Sequence, residues 1–190
     1  PNLYQSTRSA HLTKKNLGMV AMATAAAVII GNEILSGKFT DENSPWLADR
    51  LCAIGVDLTR IVVIPDDIDV IADTVRDLSA AVTHVFTSGG VGPTHDDVTF
   101  EGIARAFGVP LSRHPALAAA IRAHMGTTVT EAALRMADVP SGSELVGEGF
   151  PVLVFRNVII LPGVPKYFQK KFELFAGTLT PDPKHQERII

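Results

Sequence analysis

Residues 88–97 read Ser88-Gly89-Gly90-Val91-Gly92-Pro93-Thr94-His95-Asp96-Asp97. A short apolar run, Val85-Phe86, leads in, and a helical pattern starts at Thr99. Strand, glycine loop and helix N-terminus in that order make an anion site. Glycines let backbone N–H groups approach a phosphate, and the helix end adds partial positive charge. Ser88 and Thr94 are expected to donate hydroxyl hydrogen bonds to phosphate oxygens. One aspartate of Asp96-Asp97 is explained by helix capping. Two successive carboxylates beside an anion site suit a divalent ion, held jointly by protein and phosphate oxygens. Asp97 and Asp96 are therefore the candidate metal ligands, and with Asp66 the candidate catalytic acids. His95 reads either as a general acid or as an exposed loop residue. The loop is neither a P-loop nor the dinucleotide fingerprint, because Gly-Lys-Ser/Thr and the GxGxxG spacing are both absent.

The surrounding elements must bring further residues to this loop. Ala25–Ile30 is a continuous apolar run, as in a strand covered on both faces. Glu33 and Asp41 follow it. Asn43 or Ser44 is expected to cap a helix with Pro45 in first position, running to Ile54 with Leu47, Leu51 and Ile54 on one face. Val56–Ile64 reads as a second strand, and Asp66-Asp67 as either a cap or a pocket wall. Ile68, Ile71, Val75, Leu78 and Val82 recur at spacings of 3, 4, 3 and 4, the best helical period in the chain. A strand at 83–87 precedes the glycine loop, and helices follow at Thr99–Phe107, after Pro115, and at Glu131–Ala137. Strands are expected at Leu145-Val146, Val152–Phe155 and Val158–Leu161, the last two joined by a two-residue turn, Arg156-Asn157. Pro162-Gly163-Val164-Pro165 forms a second loop before a helix bearing Phe168, Phe172 and Phe175, a core or oligomer face. This succession predicts an α/β sandwich with a mainly parallel sheet. Ligands of such sheets bind beyond the carboxyl ends of the strands, where the loops 31–41, 65–67, 88–97 and 162–165 fall.

Bulk properties narrow the class. The chain has 190 residues, 46% hydrophobic and 19% charged, which suits one globular domain. A net charge of −3 without a basic face argues against a nucleic-acid partner. The one cysteine, Cys52, excludes an internal disulfide and reads as a small core residue. His84, His114 and His124 lack metal-ligand spacing and read as structural or surface residues. The run Val20–Ile30 is shorter than the roughly 20 residues a bilayer span needs. A cytoplasmic domain at 24–179 is expected, with a leader or added segment at 1–23 and a polar tail at 180–190.

Ser88 to Thr99, with Gly31-Asn-Glu-Ile-Leu-Ser-Gly, Asp41-Glu-Asn-Ser, Val63-Ile-Pro-Asp-Asp and Leu161-Pro-Gly-Val-Pro, resembles the molybdenum-cofactor biosynthesis (molybdopterin-binding, MoCF) domain. Within it, the likeness is to the N-terminal domain of the competence/damage-inducible CinA proteins and to the molybdopterin-binding-like domain of FAD synthase. The resemblance implies a three-layer α/β/α fold and a pocket for a pterin or nucleotide phosphate. It implies family aspartates at Asp97 and Asp66, with Ser88, Gly89, Gly90, Gly92, Pro93, Thr94, Glu33, Asp41, Pro162 and Gly163 around the ligand. In the CinA and FAD synthase branch it implies metal-dependent hydrolysis of the pyrophosphate bond in FAD or ADP-ribose, with Mg²⁺, Mn²⁺ or Co²⁺. Molybdopterin binding or adenylyl transfer, and ligand binding without turnover, are the alternatives. A homo-dimer or trimer is implied, with a phosphorylated small molecule as partner and no membrane. The usual Gly-Asp-Glu is Gly31-Asn32-Glu33 here, one carboxylate fewer. The chain is expected to lack the deamidase domain of CinA proteins and the nucleotidyl-transferase domain of FAD synthases.

Overall fold

The computed structural model describes residues 23–149 and 151–179. The expected leader, Ala23 apart, and the polar tail lie outside the described residues. The chain order is β1 (Thr24–Ile30), α1 (Asn32–Leu35), α2 (Asn43–Ala53), β2 (Asp57–Ile64), α3 (Ile68–Ala81), β3 (His84–Ser88), α4 (Thr99–Ala106), β4 (Leu111–Arg113), α5 (Pro115–Met125), α6 (Glu131–Arg135), β5 (Asp138–Pro140), β6 (Glu144–Val146), β7 (Val152–Phe155), β8 (Val158–Leu161) and α7 (Pro165–Ala176). Six strands form one sheet in the order β2-β1-β3-β8-β7-β6. The first four are mutually parallel and the last two antiparallel. This is the expected three-layer α/β/α fold.

Strand alternation in β1 supplies both faces of the sheet. Ala25 and Ala27 enter the core beneath α2 and α7, while Ala26, Val28 and Ile30 enter the core beneath α3 to α6. Right-handed crossovers put α2 and α3 on opposite faces, because β2 and β3 flank β1 on opposite sides. The side on which successive strands are added therefore switches at β1, and a crevice opens beyond the carboxyl ends of β1 and β3. Gly102 lets α4 lie against α3, since a Cβ there would sit 2.4 Å from Cγ2 of Ile71. Phe168, Phe172 and Phe175 are buried, with the Phe172 ring 5.4 Å from Trp46 and 5.5 Å from Phe86, so this face is core and not an oligomer contact.

Several local expectations need correction. Cys52 is exposed. It follows Leu51, which faces the core, and one helical residue turns the side chain about 100° away. Neither Asn43 nor Ser44 caps α2; Oδ1 of Asp41 accepts from both of their backbone N–H groups, at 2.9 and 3.0 Å. Pro45 is thus the third helical residue. A four-residue helix, α1, interrupts the loop after β1. The antiparallel pair β4–β5 carries no sequence signal, because three residues show no period. Among the described residues, no helix is long and apolar enough to cross a membrane.

Candidate functional site

The glycine loop is held in an unusual backbone path. Gly89 has φ of 105°, and a Cβ there would fall 2.2 Å from the carbonyl oxygen of Ile30 at the end of β1. Gly90 has φ of 63°, with Thr99 Oγ1 only 2.3 Å from a built Cβ. Glycine is required at both positions by conformation and by space. The buried Thr99 hydroxyl donates to the carbonyl oxygen of Gly89 at 2.9 Å, and its N–H donates to that of Gly90 at 3.0 Å. The loop is thus tied to the first turn of α4.

Asp97 does not cap α4. Its Oδ2 accepts from the Thr94 backbone N–H at 2.9 Å and from the Thr94 hydroxyl at 2.5 Å, closing the loop on itself. The Thr94 hydroxyl is thus engaged with Asp97 inside the loop. The Ser88 hydroxyl oxygen accepts from Nδ2 of Asn43 at 2.9 Å. The same nitrogen donates to the carbonyl oxygen of Gly163 at 2.8 Å. Asn43 joins the ends of β3 and β8 to the start of α2, a clamp that sequence reasoning missed.

A cavity of about 720 Å³ opens among these loops. Glu33, Asp41, Ser88, Gly89, Gly90, Gly92, Asp97, Pro162 and Gly163 line it, so most of the sequence candidates meet here. An apolar chamber adjoins them, walled by Phe100, Leu117, Ile121, Met136 and Leu153. Its residues come from helical and strand faces that read only as core. A neighbouring recess gathers Glu33, Asp66, Thr94, Asp96 and Asp97, with Asn32 and Lys38. Pro93 and His95 line neither space. His95 instead sits 2.9 Å from Asp96, with both side chains largely exposed.

Asp66 and Asp67 divide the two roles open to them. Asp67 caps α3, its Oδ1 accepting from Asp69 N–H at 2.9 Å and Val70 N–H at 3.0 Å. Asp66 turns to the recess, where Oδ2 accepts from Asn32 N–H at 2.8 Å. Burial pushes the Asp66 carboxyl pKa up, the Asn32 N–H opposes this, and the charges of Glu33, Asp97 and Asp96 push it further up. The recess is a set of hard oxygen donors of like charge with Lys38 beside them, a chemistry that a divalent ion can share. Among the described residues, no three His, Cys, Asp or Glu side chains gather as a ready metal-binding group.

Residues 26–181 match the family described as "Probable molybdopterin binding domain". The chain belongs to that family. It is 36% identical to a protein of Archaeoglobus fulgidus over 85% of this chain and 71% of that one. It is 36% identical to the "Probable FAD synthase" of Caenorhabditis elegans, over 86% of this chain but 36% of the relative. It is 38% identical to a "CinA-like protein" of Anaeromyxobacter sp. (strain K), over 71% of this chain and 36% of the relative. The chain thus spans about a third of these last two proteins. Among solved structures, CinA of Thermoplasma acidophilum, described as of unknown function, superposes with a TM-score of 0.75 at 31% identity, covering 83% of this chain and 99% of that one. The molybdopterin biosynthesis enzyme MoaB of Thermus thermophilus shares the fold, with a TM-score of 0.57 at 19% identity over 83% of this chain and 92% of that one. The molybdopterin-binding-like fold and the kinship with CinA and FAD synthase stand on these likenesses.

Proposed function

We propose that this chain binds a nucleotide of the FAD or ADP-ribose kind at its glycine loop and hydrolyses the diphosphate bond with a divalent ion. One observation carries the reading: a cavity lined by the glycine backbone cradle and by apolar side chains adjoins a recess of four carboxylates, and the two share Glu33, Gly90 and Asp97. The backbone around Gly89, Gly90 and Gly92 orients the phosphates. Leu117, Ile121, Met136 and Leu153 exclude water from the ring end of the ligand. Asp97 and Asp96 would hold the ion, together with phosphate oxygens. When bound, such an ion supplies charge neutralisation at the phosphoryl oxygens and makes a nearby water more acidic. Asp66, its pKa already raised, suits the acceptance of a proton from the attacking water. The oxygen of that water forms the new bond to phosphorus, and the bridging oxygen leaves with the other phosphate.

A second reading, molybdopterin binding, is favoured by the family description of residues 26–181. Both are tested by incubating the purified protein with FAD, ADP-ribose or ATP, each with Mg²⁺, Mn²⁺ or Co²⁺. Release of AMP from FAD or ADP-ribose, abolished by Asp97→Ala, supports hydrolysis. ATP consumption that depends on molybdopterin supports the second reading, and tight binding without turnover supports a non-catalytic domain. Absence of binding to every ligand would sink all three.

A further inference from the structure

The lining of the main cavity carries apolar side chains from both faces of the sheet. Leu117, Ile121 and Leu153 belong to the core beneath α3 to α6 and are buried. Phe39 and Val164 line the same cavity from segments that enter α2 and α7, the helices of the opposite face. These two side chains are 58% and 54% exposed. The glycine loop leaves β3 at the sheet edge, where the two faces meet. Gly163 packs against that loop, since a Cβ there would sit 3.3 Å from Cα of Gly89. The Asn43 side chain ties Gly163 in turn to the start of α2. Val164 thus follows directly on a residue that rests on the glycine cradle. Both exposed residues are held by their backbones. The Phe39 N–H donates to the carbonyl oxygen of Glu33 at 3.1 Å, and the Val164 carbonyl oxygen accepts from the N–H groups of Tyr167 and Phe168 at 3.0 and 2.9 Å. Apolar side chains exposed singly need no explanation, but two at the mouth of one cavity, beside a glycine cradle, mark a ligand contact.

We propose that Phe39 and Val164 form a second ring site, and that the ligand of this cavity is a dinucleotide with a ring system at each end of its diphosphate. This rests on the nucleotide reading above and deepens it: it selects a two-ring dinucleotide such as FAD over ADP-ribose, whose second end is a sugar. The glycine loop at the sheet edge takes the diphosphate, and the rings diverge to the two faces. The smaller ring, adenine, enters the enclosed chamber. The larger ring stacks on Phe39 at the mouth, with Val164 against it, and leaves its polar edge to water. It takes the face of Phe39 turned away from Nζ of Lys38, which stands over that ring 5.6 Å from the centroid.

Calorimetric titration with FAD and with ADP-ribose tests the inference, in EDTA, which withholds the ion that turnover needs, and again in Ca²⁺. The wild type binds FAD about tenfold tighter than ADP-ribose, the size of one base–aromatic stack. Phe39→Leu, which keeps an apolar side chain at an exposed position, removes most of that preference and leaves ADP-ribose affinity within twofold. Phe39→Trp keeps or raises it, and Val164→Ser lowers FAD affinity in the same selective way. Wild-type affinity for ADP-ribose equal to or tighter than that for FAD overturns the inference and leaves the nucleotide reading standing, as does an unchanged preference in Phe39→Leu. An equal loss of FAD and ADP-ribose binding in Phe39→Leu overturns it too, because the mouth then holds adenine. If Phe39→Leu fails to fold, the wild-type ratio decides alone. Failure of the wild type to bind either ligand, in EDTA and in Ca²⁺ alike, overturns the nucleotide reading and this inference with it.

Discussion

Asn43 offers the sharpest test of how the site is held together. The residue is buried, at 4% exposure, and its carboxamide nitrogen serves two acceptors, the Gly163 carbonyl at 2.8 Å and the Ser88 hydroxyl at 2.9 Å. Its Oδ1 is buried without a hydrogen-bond partner. Asn43→Ala loses both bonds, at about 1 kcal/mol each, and strands the Gly163 carbonyl, but it also removes the unpartnered oxygen; the net cost is about 2 kcal/mol. Asn43→Asp nearly preserves shape, yet it removes both donors and sets an ionised oxygen against a carbonyl. An uncompensated buried charge costs about 3–5 kcal/mol. The closer mimic is therefore the worse substitution at pH 7. The order reverses in acid: the introduced carboxyl has a raised pKa in the fold, its penalty is complete above that pKa, and the penalty fades as pH falls through it. Urea denaturation followed by circular dichroism, at pH 7 and pH 4.5, gives midpoints and slopes for all three proteins. Asn43→Asp at least as stable as Asn43→Ala at pH 7 would refute the hydrogen-bond assignment.

Other substitutions test separate parts of the reasoning. Gly89→Ala meets the Ile30 carbonyl oxygen at 2.2 Å with φ of 105°, so it is expected to abolish ligand binding and to lower the urea midpoint well beyond the roughly 1 kcal/mol of a helical Gly/Ala exchange. Asp67→Ala loses a helix cap, costs about 1 kcal/mol by denaturation, and leaves nucleotide affinity unchanged. Asp66→Asn does the opposite: it relieves burial and like charge, leaves the urea midpoint in metal-free buffer equal or higher, and removes metal-dependent binding by calorimetry. Burial beside the rings of Phe86 and Phe175 lowers the pKa of His84. The unfolded chain then takes the proton first, and stability falls as pH drops below about 6.5. His84→Phe should flatten that slope in urea midpoints measured from pH 7.5 to 5.5.

Much of this architecture was legible because local patterns agree with the fold. The 3-4-3-4 spacing from Ile68 to Val82 marks the buried face of α3, where Ile71, Val75 and Leu78 are buried. Gly89 and Gly90 announced a loop that no other residue can build. Parallel strands place their following loops at one edge, so Glu33, Asp41, Asp97 and Gly163 were expected together before any contact was known. Cys52 was misread because neighbours in a helical apolar run do not share a face.

The chain's own order of residues determined the fold class, the glycine loop and the set of acids that approach it, since period, turn chemistry and strand direction are local properties. The tertiary structure decided the division of labour. Asp66 and Asp67 are adjacent, yet one faces the recess and the other caps a helix. Asn43 became a clamp only by meeting Ser88 and Gly163, 45 and 120 residues away. Lys171, which lines the cavity, meets Pro151 only because an antiparallel β7 returns that residue to the ligand edge. Hydrogen bonds and charge act over a few ångströms of space and are blind to separation along the chain. These roles therefore carry no local signature.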